Sequence, residues 1–405
     1  MDTIPASISP PAESPRYPNT RPFLLMQGGP LYRIERRVGL IKQNAPLTVR
    51  RAILAALVTW IPLLILSAMQ GTAFGHKVPV PFLRDIGTYT RFLLGVPLLV
   101  LAEIVLGQRV AEAAEHFVTS GVIGEKDFKQ FDHIVENGLR LRDSVFAEIV
   151  IVILSYAVSI WGFGMTAVHV STWYATRGNG GMSITWAGWW LLIFCSPLFQ
   201  FLLLRWLWRL FLWFRFLAQV GRLDLQLFPT HPDEAGGIGF VGETQRFFGI
   251  LLFAYSAAIT GVLANTILYD KLPLVHFAPV IAIYAIIALL VLTLPLAVFT
   301  GKLVAAKRLG LYKYGTLATE YTGSFQRKWI RGENPDQEAL LGTGDIQSLA
   351  DLGNSYALIQ RMNMLPVNPR SLIQLVIATL LPMAPLLLTV MPLKDLIKVL
   401  IKVLM

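Results

Sequence analysis

Residues 52–73 read AILAALVTWIPLLILSAMQGTA, twenty-two consecutive positions without a charged side chain. A membrane hydrocarbon core is about 30 Å thick, and a helix needs about 20 residues to cross it at 1.5 Å per residue. Backbone N–H and C=O groups must be satisfied internally in lipid, which a helix achieves within one segment. This stretch therefore predicts a membrane-spanning helix.

Six further apolar stretches have comparable length. They cover residues 88–107, 146–168, 185–204, 247–269, 276–300 and 371–392. Strands of a membrane barrel would be shorter and would alternate apolar and polar residues, which these stretches do not. The sequence predicts an all-α, polytopic integral membrane helical bundle of about seven spans, with cytoplasmic helical extensions.

The overall composition agrees with a membrane protein. Hydrophobic residues make up 54% of the 405 positions and charged residues 15%, against about 25% in soluble domains. The net charge of +10 could indicate nucleic-acid binding, but the basic residues flank the spans and form no recognisable nucleic-acid module. We therefore expect the lipid bilayer and its anionic headgroups as partners, and no nucleic acid.

The distribution of Lys and Arg predicts the orientation. The segments 1–51, 108–145, 205–246 and 301–370 hold 27 of the 35 basic residues, and the opposite side holds 8. By the positive-inside rule the N-terminus is cytoplasmic. The short loops, the single Cys and the lack of a glycan-bearing outer domain indicate a bacterial inner membrane.

Six segments follow from these spans. They are a disordered Pro-rich tail (1–30), the first two spans with a juxtamembrane segment (31–107), a cytoplasmic helical extension (108–145), four spans with a cytoplasmic loop at 205–246 (146–300), a second cytoplasmic helical segment (301–370), and a last span with an amphipathic C-terminal helix (371–405). Pro382, Pro385 and Pro392 predict a kinked last span, either a true crossing or a re-entrant hairpin. We find no internal repeat of the kind that indicates an inverted-repeat transporter.

One loop is unusually rich in polar residues and glycine. Residues 225–248 read LQLFPTHPDEAGGIGFVGETQRFF, and the candidate residues are His231, Asp233, Glu234, Gly236 and Gly237. A metal site is disfavoured because no second His or Cys cluster accompanies this one. Anion binding by free N–H groups and an ordinary turn both remain open. The excess of turn residues favours a tightly folded loop over the cytoplasmic mouth of the bundle.

A basic and aromatic stretch precedes that loop. In LLLRWLWRLFLWFRFL, residues 202–217, Arg205 and Arg209 share a helix face and Arg215 lies near it. Tryptophans interleave with them, as in an interfacial belt that contacts anionic headgroups. The alternative is that the arginines line an anion-attracting vestibule.

Polar residues inside the spans are the remaining candidates. Glu103, Glu148 and Arg91 lie within about two turns of a predicted boundary, where a charge can reach the interface or can mark a pathway. The fifth span carries a stripe of Ser256, Thr260 and Asn265, which serves helix packing or lines a pathway.

No catalytic motif, cofactor fingerprint or metal-ligand spacing is present, so we predict no catalytic, cofactor or metal residues. The leading hypothesis is a channel or transporter for ions or small solutes, acting as a homo-oligomer, with anions favoured by the arginines. The alternative is a membrane scaffold, sensor or effector that signals through its cytoplasmic helices. A lipid-modifying membrane enzyme is the third possibility.

Overall fold

A computed structural model describes residues 22–37, 46–75, 77–167, 172–178, 181–333, 340 and 342–390 of the chain. Most of the predicted Pro-rich tail and the whole predicted C-terminal amphipathic helix lie outside these residues. The fold below concerns the described part.

Seven helical segments are long and apolar enough to cross a membrane, which confirms the predicted helical membrane bundle. They run Thr48–Met69, Ile86–Thr119, Val145–Gly164, Trp186–Val220, Gly239–Tyr269, Leu274–Ile330 and Pro369–Thr389, and we call them spans 1 to 7 in that order. Large apolar side chains face outward on them; Ile153 in span 3 is 61% exposed and Ile283 in span 6 is 57% exposed. Such a surface suits a lipid environment and would be unfavourable in water.

The regular elements follow the spans closely. The α-helices of eight or more residues run Pro30–Arg37, Pro46–Met69, Val96–Thr119, Phe128–Arg142, Val145–Ala167, Ser196–Val220, Gly239–Arg246, Gly249–Tyr269, Ala278–Thr293, Thr300–Phe325, Asp345–Arg361 and Pro369–Leu380. Two shorter ones, Ile86–Thr88 and Trp186–Trp190, begin spans 2 and 4. Two short antiparallel strands, β1 (Ala175–Gly178) and β2 (Gly181–Ile184), form a hairpin between spans 3 and 4.

The bundle has two distinct ends. The hairpin end carries β1 and β2 and the loops that join spans 1 and 2 and spans 5 and 6. The extension end carries the helix Phe128–Arg142, the 221–238 loop and the helices Thr300–Phe325 and Asp345–Arg361. The Thr300–Phe325 helix has 26 residues and is about 39 Å long, so span 6, of which it forms the second half, extends well beyond a membrane core.

Spans 2 and 4 share a local irregularity. Each contains a π-helical segment near the hairpin end, Tyr89–Gly95 in span 2 and Leu191–Cys195 in span 4, and each segment ends two residues before a proline, Pro97 or Pro197. A proline has no N–H and its ring collides with the carbonyl four residues earlier, so a widened turn relieves the collision. Their N-caps are also similar, because Asp85 and Thr185 accept from the N–H groups of Thr88 and Gly188. Spans 2 and 4 run in the same direction and share this local pattern, although the sequence contains no recognisable repeat.

Span 7 changes its helix type where its prolines lie. It is α-helical over Pro369–Leu380 and 3₁₀-helical over Leu381–Thr389, a combined length of about 36 Å. Its first half packs beside Gly239–Arg246, and its second half packs beside the Leu274–Phe277 turn at the hairpin end. Span 7 therefore runs alongside span 5 from the extension end to the end that carries β1 and β2. This favours a full membrane crossing over a segment that turns back within the membrane.

Candidate functional site

A cavity of about 680 Å³ lies between spans 2, 3, 4 and 5, towards the hairpin end. Exposed residues Pro79 and Asp270 border its mouth, and Leu203 and Tyr255 border its deepest part. Along span 5, the rise from residue 255 to residue 270 corresponds to about 22 Å. The cavity therefore reaches from the hairpin end to roughly the middle of the bundle.

A buried carboxylate organises the rim of this cavity. Asp85 Oδ1 accepts from Asn265 Nδ2 at 2.7 Å and from the Thr88 N–H at 3.2 Å. Its Oδ2 accepts from Thr88 Oγ1 at 2.7 Å and from Trp173 Nε1 at 2.8 Å. Asn265 returns a bond, because its Oδ1 accepts from the N–H of Ile86 at 3.0 Å. One carboxylate thus joins the start of span 2, span 5 and the loop before β1, and four neutral donors satisfy it.

Arg91 is the basic residue of the cavity wall. It lies in the π-helical segment of span 2, about 7.5 Å along the helix from Ile86, and is partly buried. Its guanidinium has no hydrogen bond or salt bridge to any residue in the part of the chain that the structure describes. An ionisable side chain within a span that makes no salt bridge is a functional candidate in membrane proteins.

Gly87 keeps space open between the two charged groups. A Cβ at this position would lie 3.1 Å from Asp85 Oδ1, 3.2 Å from Asn265 Nδ2 and 3.4 Å from Arg91 Nη2. The carboxylate and the guanidinium are thus near neighbours that form no salt bridge with each other. Gly261 on span 5 is required more strictly, because a Cβ there would lie 2.0 Å from Thr90 Oγ1. Small residues at both positions let spans 2 and 5 pack closely beside the cavity.

The floor of the cavity is made of aromatic and hydrogen-bonded groups. Phe92 and Phe199 meet edge to face with ring centroids 6.5 Å apart, and Tyr255 Oη donates to the Leu203 carbonyl at 2.8 Å. Below them Trp206 Nε1 donates to the Leu99 carbonyl at 2.8 Å, which ties span 4 to span 2. These contacts separate the cavity from the extension end.

A charge cluster closes the bundle further down. Glu103 on span 2 contacts Arg209 at 2.9 Å and Arg205 at 3.8 Å, both on span 4, and Arg51 on span 1 at 3.3 Å. Arg209 also donates to the Met26 carbonyl at 3.2 Å. The structure therefore brings together the predicted residues Glu103, Arg205 and Arg209, as a buried interhelical cluster in which each arginine contacts the glutamate.

The polar 225–248 loop folds around the Asp233 side chain. The Asp233 carboxylate accepts from the N–H groups of Ala235, Gly237 and Gly239 at 2.8 to 3.1 Å, and His231 Nδ1 lies 2.8 Å from its Oδ1. Burial would raise the pKa of Asp233, but these N–H groups outweigh it and hold the pKa below its usual value.

The backbone of the same loop requires its glycines. Gly236 and Gly237 have φ of 68° and 97°, and Glu234 has φ of 53°. The Glu234 carbonyl accepts from the Asn363 N–H at 2.7 Å, and Gly236 lies against Met362. The loop thus packs against the segment after Asp345–Arg361 and has no residue in the cavity wall.

The other candidate residues lie apart from one another. Asn265 is in the cavity wall, whereas Ser256 bonds Tyr284 Oη at 3.0 Å and Thr260 donates to the Ser256 carbonyl. Glu148 borders a small crevice beside Arg205 and Arg209, and the buried Arg215 Nε has no hydrogen-bond partner among the described residues.

Sequence reasoning overlooked Asp85 and Trp173. Asp85 precedes span 2 in the order Asp-Ile-Gly-Thr, and an Asp three residues before a Thr at the start of an apolar run is an N-cap signal. That signal could have placed Asp85 at the beginning of span 2. Nothing in the sequence indicates that Trp173 or Asn265 would donate to the same carboxylate, since the three residues are far apart along the chain.

The side chains of the cavity wall indicate which ligands it suits. No group of three His, Cys, Asp or Glu side chains with metal-ligand proximity occurs in the described ranges. The wall combines one guanidinium, the carboxylates of Asp85 and Asp270, amide and hydroxyl groups, and aromatic and aliphatic side chains, the usual composition of a small-molecule site.

Comparison of the chain with models of protein families, with curated proteins and with solved structures finds no match.

Proposed function

We propose that this integral membrane protein is a transporter that binds a small solute in the cavity and releases it at the other end of the bundle. The observation that carries the proposal is the cavity itself, whose wall reaches exposed residues at the hairpin end and stops short of the Glu103 cluster. A binding site with access from one end at a time is what an alternating-access transporter requires.

A transporter is favoured over an open channel because of the layers below the cavity. The Phe92–Phe199 contact, the Trp206–Leu99 hydrogen bond and the Glu103–Arg209 ion pair follow one another along spans 2 and 4. Release towards the extension end requires these spans to move apart. The π-helical segments and prolines beside the cavity are features at which membrane helices commonly bend.

The positive-inside count supports the proposal that the extension end is cytoplasmic, so that the cavity in this conformation faces away from the cytoplasm. Placement in a bacterial inner membrane and assembly into a homo-oligomer remain predictions from the sequence.

Alternating access is testable without knowledge of the solute. Leu203 borders the floor of the cavity, and the native Cys195 is buried, so Leu203→Cys provides a single reactive thiol at the floor. We expect a membrane-impermeant maleimide to label this thiol when added from either side of oriented vesicles. Labelling from the hairpin end alone would contradict the proposal.

Two exposed positions calibrate the sidedness of that experiment. Ser183 lies on the exposed surface of β2 at the hairpin end, and Ser348 is exposed on the Asp345–Arg361 helix at the extension end. The variants Ser183→Cys and Ser348→Cys should each react from one side only. The unmodified chain, with Cys195 alone, gives the background.

A scaffold or sensor is the second candidate, and one observation favours it. The helix Thr300–Phe325 leaves the membrane region with apolar side chains exposed, including Leu309 at 55% and Tyr312 at 72%. An exposed apolar surface of this kind can bind a partner. Labelling of Leu203→Cys from the hairpin end only would favour a scaffold or sensor over a transporter.

A further inference from the structure

The cavity is too large for a bare ion. Pockets of about 300–1,000 Å³ typically enclose organic molecules and are lined mainly by apolar side chains with a few placed polar groups. At about 680 Å³, with Phe199, Ile259 and Val262 in its wall, this cavity has that size and composition. Its solute therefore has an apolar body.

The charge of the solute follows from the three charged groups of the wall, which are Arg91, Asp85 and the exposed Asp270 at the mouth. The Asp85 carboxylate already accepts four hydrogen bonds, from Thr88, Asn265 and Trp173. The Arg91 guanidinium has no such partner among the described residues. A planar guanidinium presents five donors and matches the oxygens of a carboxylate or phosphate.

We infer that the cavity takes an organic anion, with its carboxylate or phosphate on Arg91 and its apolar body against the walls of spans 4 and 5. This inference rests on the proposed function, since it concerns the same cavity. The anion can come from a free solute or from a lipid headgroup, because the same chemistry recognises both.

Ligand protection of a cavity thiol tests the inference. Thr266 lies in the wall on span 5, and Thr266→Cys can be labelled with an impermeant maleimide while Cys195 stays buried. The probes are 4-phenylbutyrate and its cationic counterpart 4-phenylbutylamine, which share one apolar body. Dioctanoyl phosphatidic acid and dioctanoylglycerol form the lipid pair.

We expect the anion of at least one pair to slow labelling of Thr266→Cys, and its amine or neutral counterpart to leave the rate unchanged. Protection by phenylbutyrate identifies a free solute, and protection by phosphatidic acid alone identifies a lipid headgroup. Equal protection by 4-phenylbutylamine, or no protection by either anion, would overturn the inference.

Substitution of Arg91 completes the test. Loss of a charge-assisted hydrogen bond weakens binding by about 10- to 100-fold, so Arg91→Gln should raise the half-protecting anion concentration by that factor. Arg91→Lys keeps the charge and should retain part of the affinity. Arg84→Gln is the matched control, because Arg84 is exposed near the mouth but outside the wall, and it should change the concentration less than twofold.

The two failures are distinguishable. Two-sided labelling of Leu203→Cys with equal protection by anion and amine would leave the transporter proposal intact and refute the organic anion. One-sided labelling of Leu203→Cys with Arg91-dependent protection by the anion would refute transport and keep the ligand class. If Arg91→Gln fails to give folded protein, the Arg91→Lys variant and the comparison of anion with amine still decide the question.

Discussion

The two ends of the bundle use the same charged residue types in opposite ways. At the extension side of the membrane region one carboxylate, Glu103, is surrounded by Arg51, Arg205 and Arg209, and their guanidinium groups are engaged in the fold. In the cavity, Arg91 lies near a carboxylate that neutral donors have already satisfied.

This difference separates a structural arginine from one that is available to a ligand. Arg205 and Arg209 are 7% and 4% exposed and cannot offer their charge to a solute without giving up Glu103. Arg91 borders open space and offers its guanidinium at no cost to the fold. The partner of a charged residue, more than its depth in a span, indicates its role.

The largest predicted effect is on stability, from Glu103→Gln. This substitution removes the carboxylate that Arg205 and Arg209 share inside the bundle, and breaking a buried ion pair in this way costs about 3–5 kcal/mol. The free energy of unfolding, measured in mixed micelles with dodecyl sulfate, should fall by that amount.

Glu112→Gln is the matched control for this prediction. Glu112 pairs with Arg109 on the same helix, and its side chain is 46% exposed, so its loss should cost less than about 1 kcal/mol. Equal losses in the two variants would show that the Glu103 cluster contributes no more to stability than a surface ion pair. The claim that the arginines around Glu103 are structural would then be refuted.

A smaller effect is predicted for Asp233, whose carboxylate is held by backbone N–H groups outside the spans. Asp233→Asn keeps one acceptor oxygen but loses the charge, so we expect a loss of about 1–2 kcal/mol at pH 7. Glu234→Gln should change stability by less than about 0.5 kcal/mol, because no hydrogen bond or ion pair of its carboxylate occurs within the described part.

The pH dependence of that loss has a defined sign. Folding lowers the pKa of Asp233 below its unfolded value of about 3.9. The stabilisation is therefore complete above that value and disappears as the pH falls through the folded pKa. The difference in unfolding free energy between the original chain and Asp233→Asn should be constant near neutral pH and shrink below about pH 4. If the difference in unfolding free energy instead grew as the pH fell, the lowered pKa of Asp233 would be refuted.

The sequence was sufficient for the fold because span length and apolar composition are local properties. The stretch 52–73 and the six others each predict a crossing without reference to any neighbour, and the kink expected from Pro382 and Pro385 coincides with the 3₁₀ segment Leu381–Thr389. Span ends were less predictable. Spans 2 and 4 continue about three and about four turns past their apolar cores, because packing with other helices stabilises polar turns beyond the membrane.

The candidate site was much less predictable. The fifth-span stripe contained Asn265, which does border the cavity, yet Ser256 on the same stripe bonds Tyr284 on span 6 and Thr260 donates to the Ser256 carbonyl. The Asp85 network unites residues 88 and 180 positions away, and no local pattern encodes such pairings. Arg205 and Arg91 are both arginines in apolar stretches of the sequence. They differ in whether a carboxylate of another span forms a salt bridge with them, which the sequence alone does not show.

The smallest effect on stability is predicted for Arg91→Gln. This variant tests most directly whether Arg91 differs from the arginines around Glu103. Arg91 makes no hydrogen bond or salt bridge within the described residues, so Arg91→Gln removes a charge without leaving a partner unsatisfied. We expect the free energy of unfolding without ligand to change by less than about 1 kcal/mol, against about 3–5 kcal/mol for Glu103→Gln. With 4-phenylbutyrate present, an original chain that binds it gains stability by mass action, and Arg91→Gln should lose that gain. A loss above about 2 kcal/mol for Arg91→Gln without ligand would mean that the fold itself depends on this guanidinium, and Arg91 would then belong with the arginines of the Glu103 cluster.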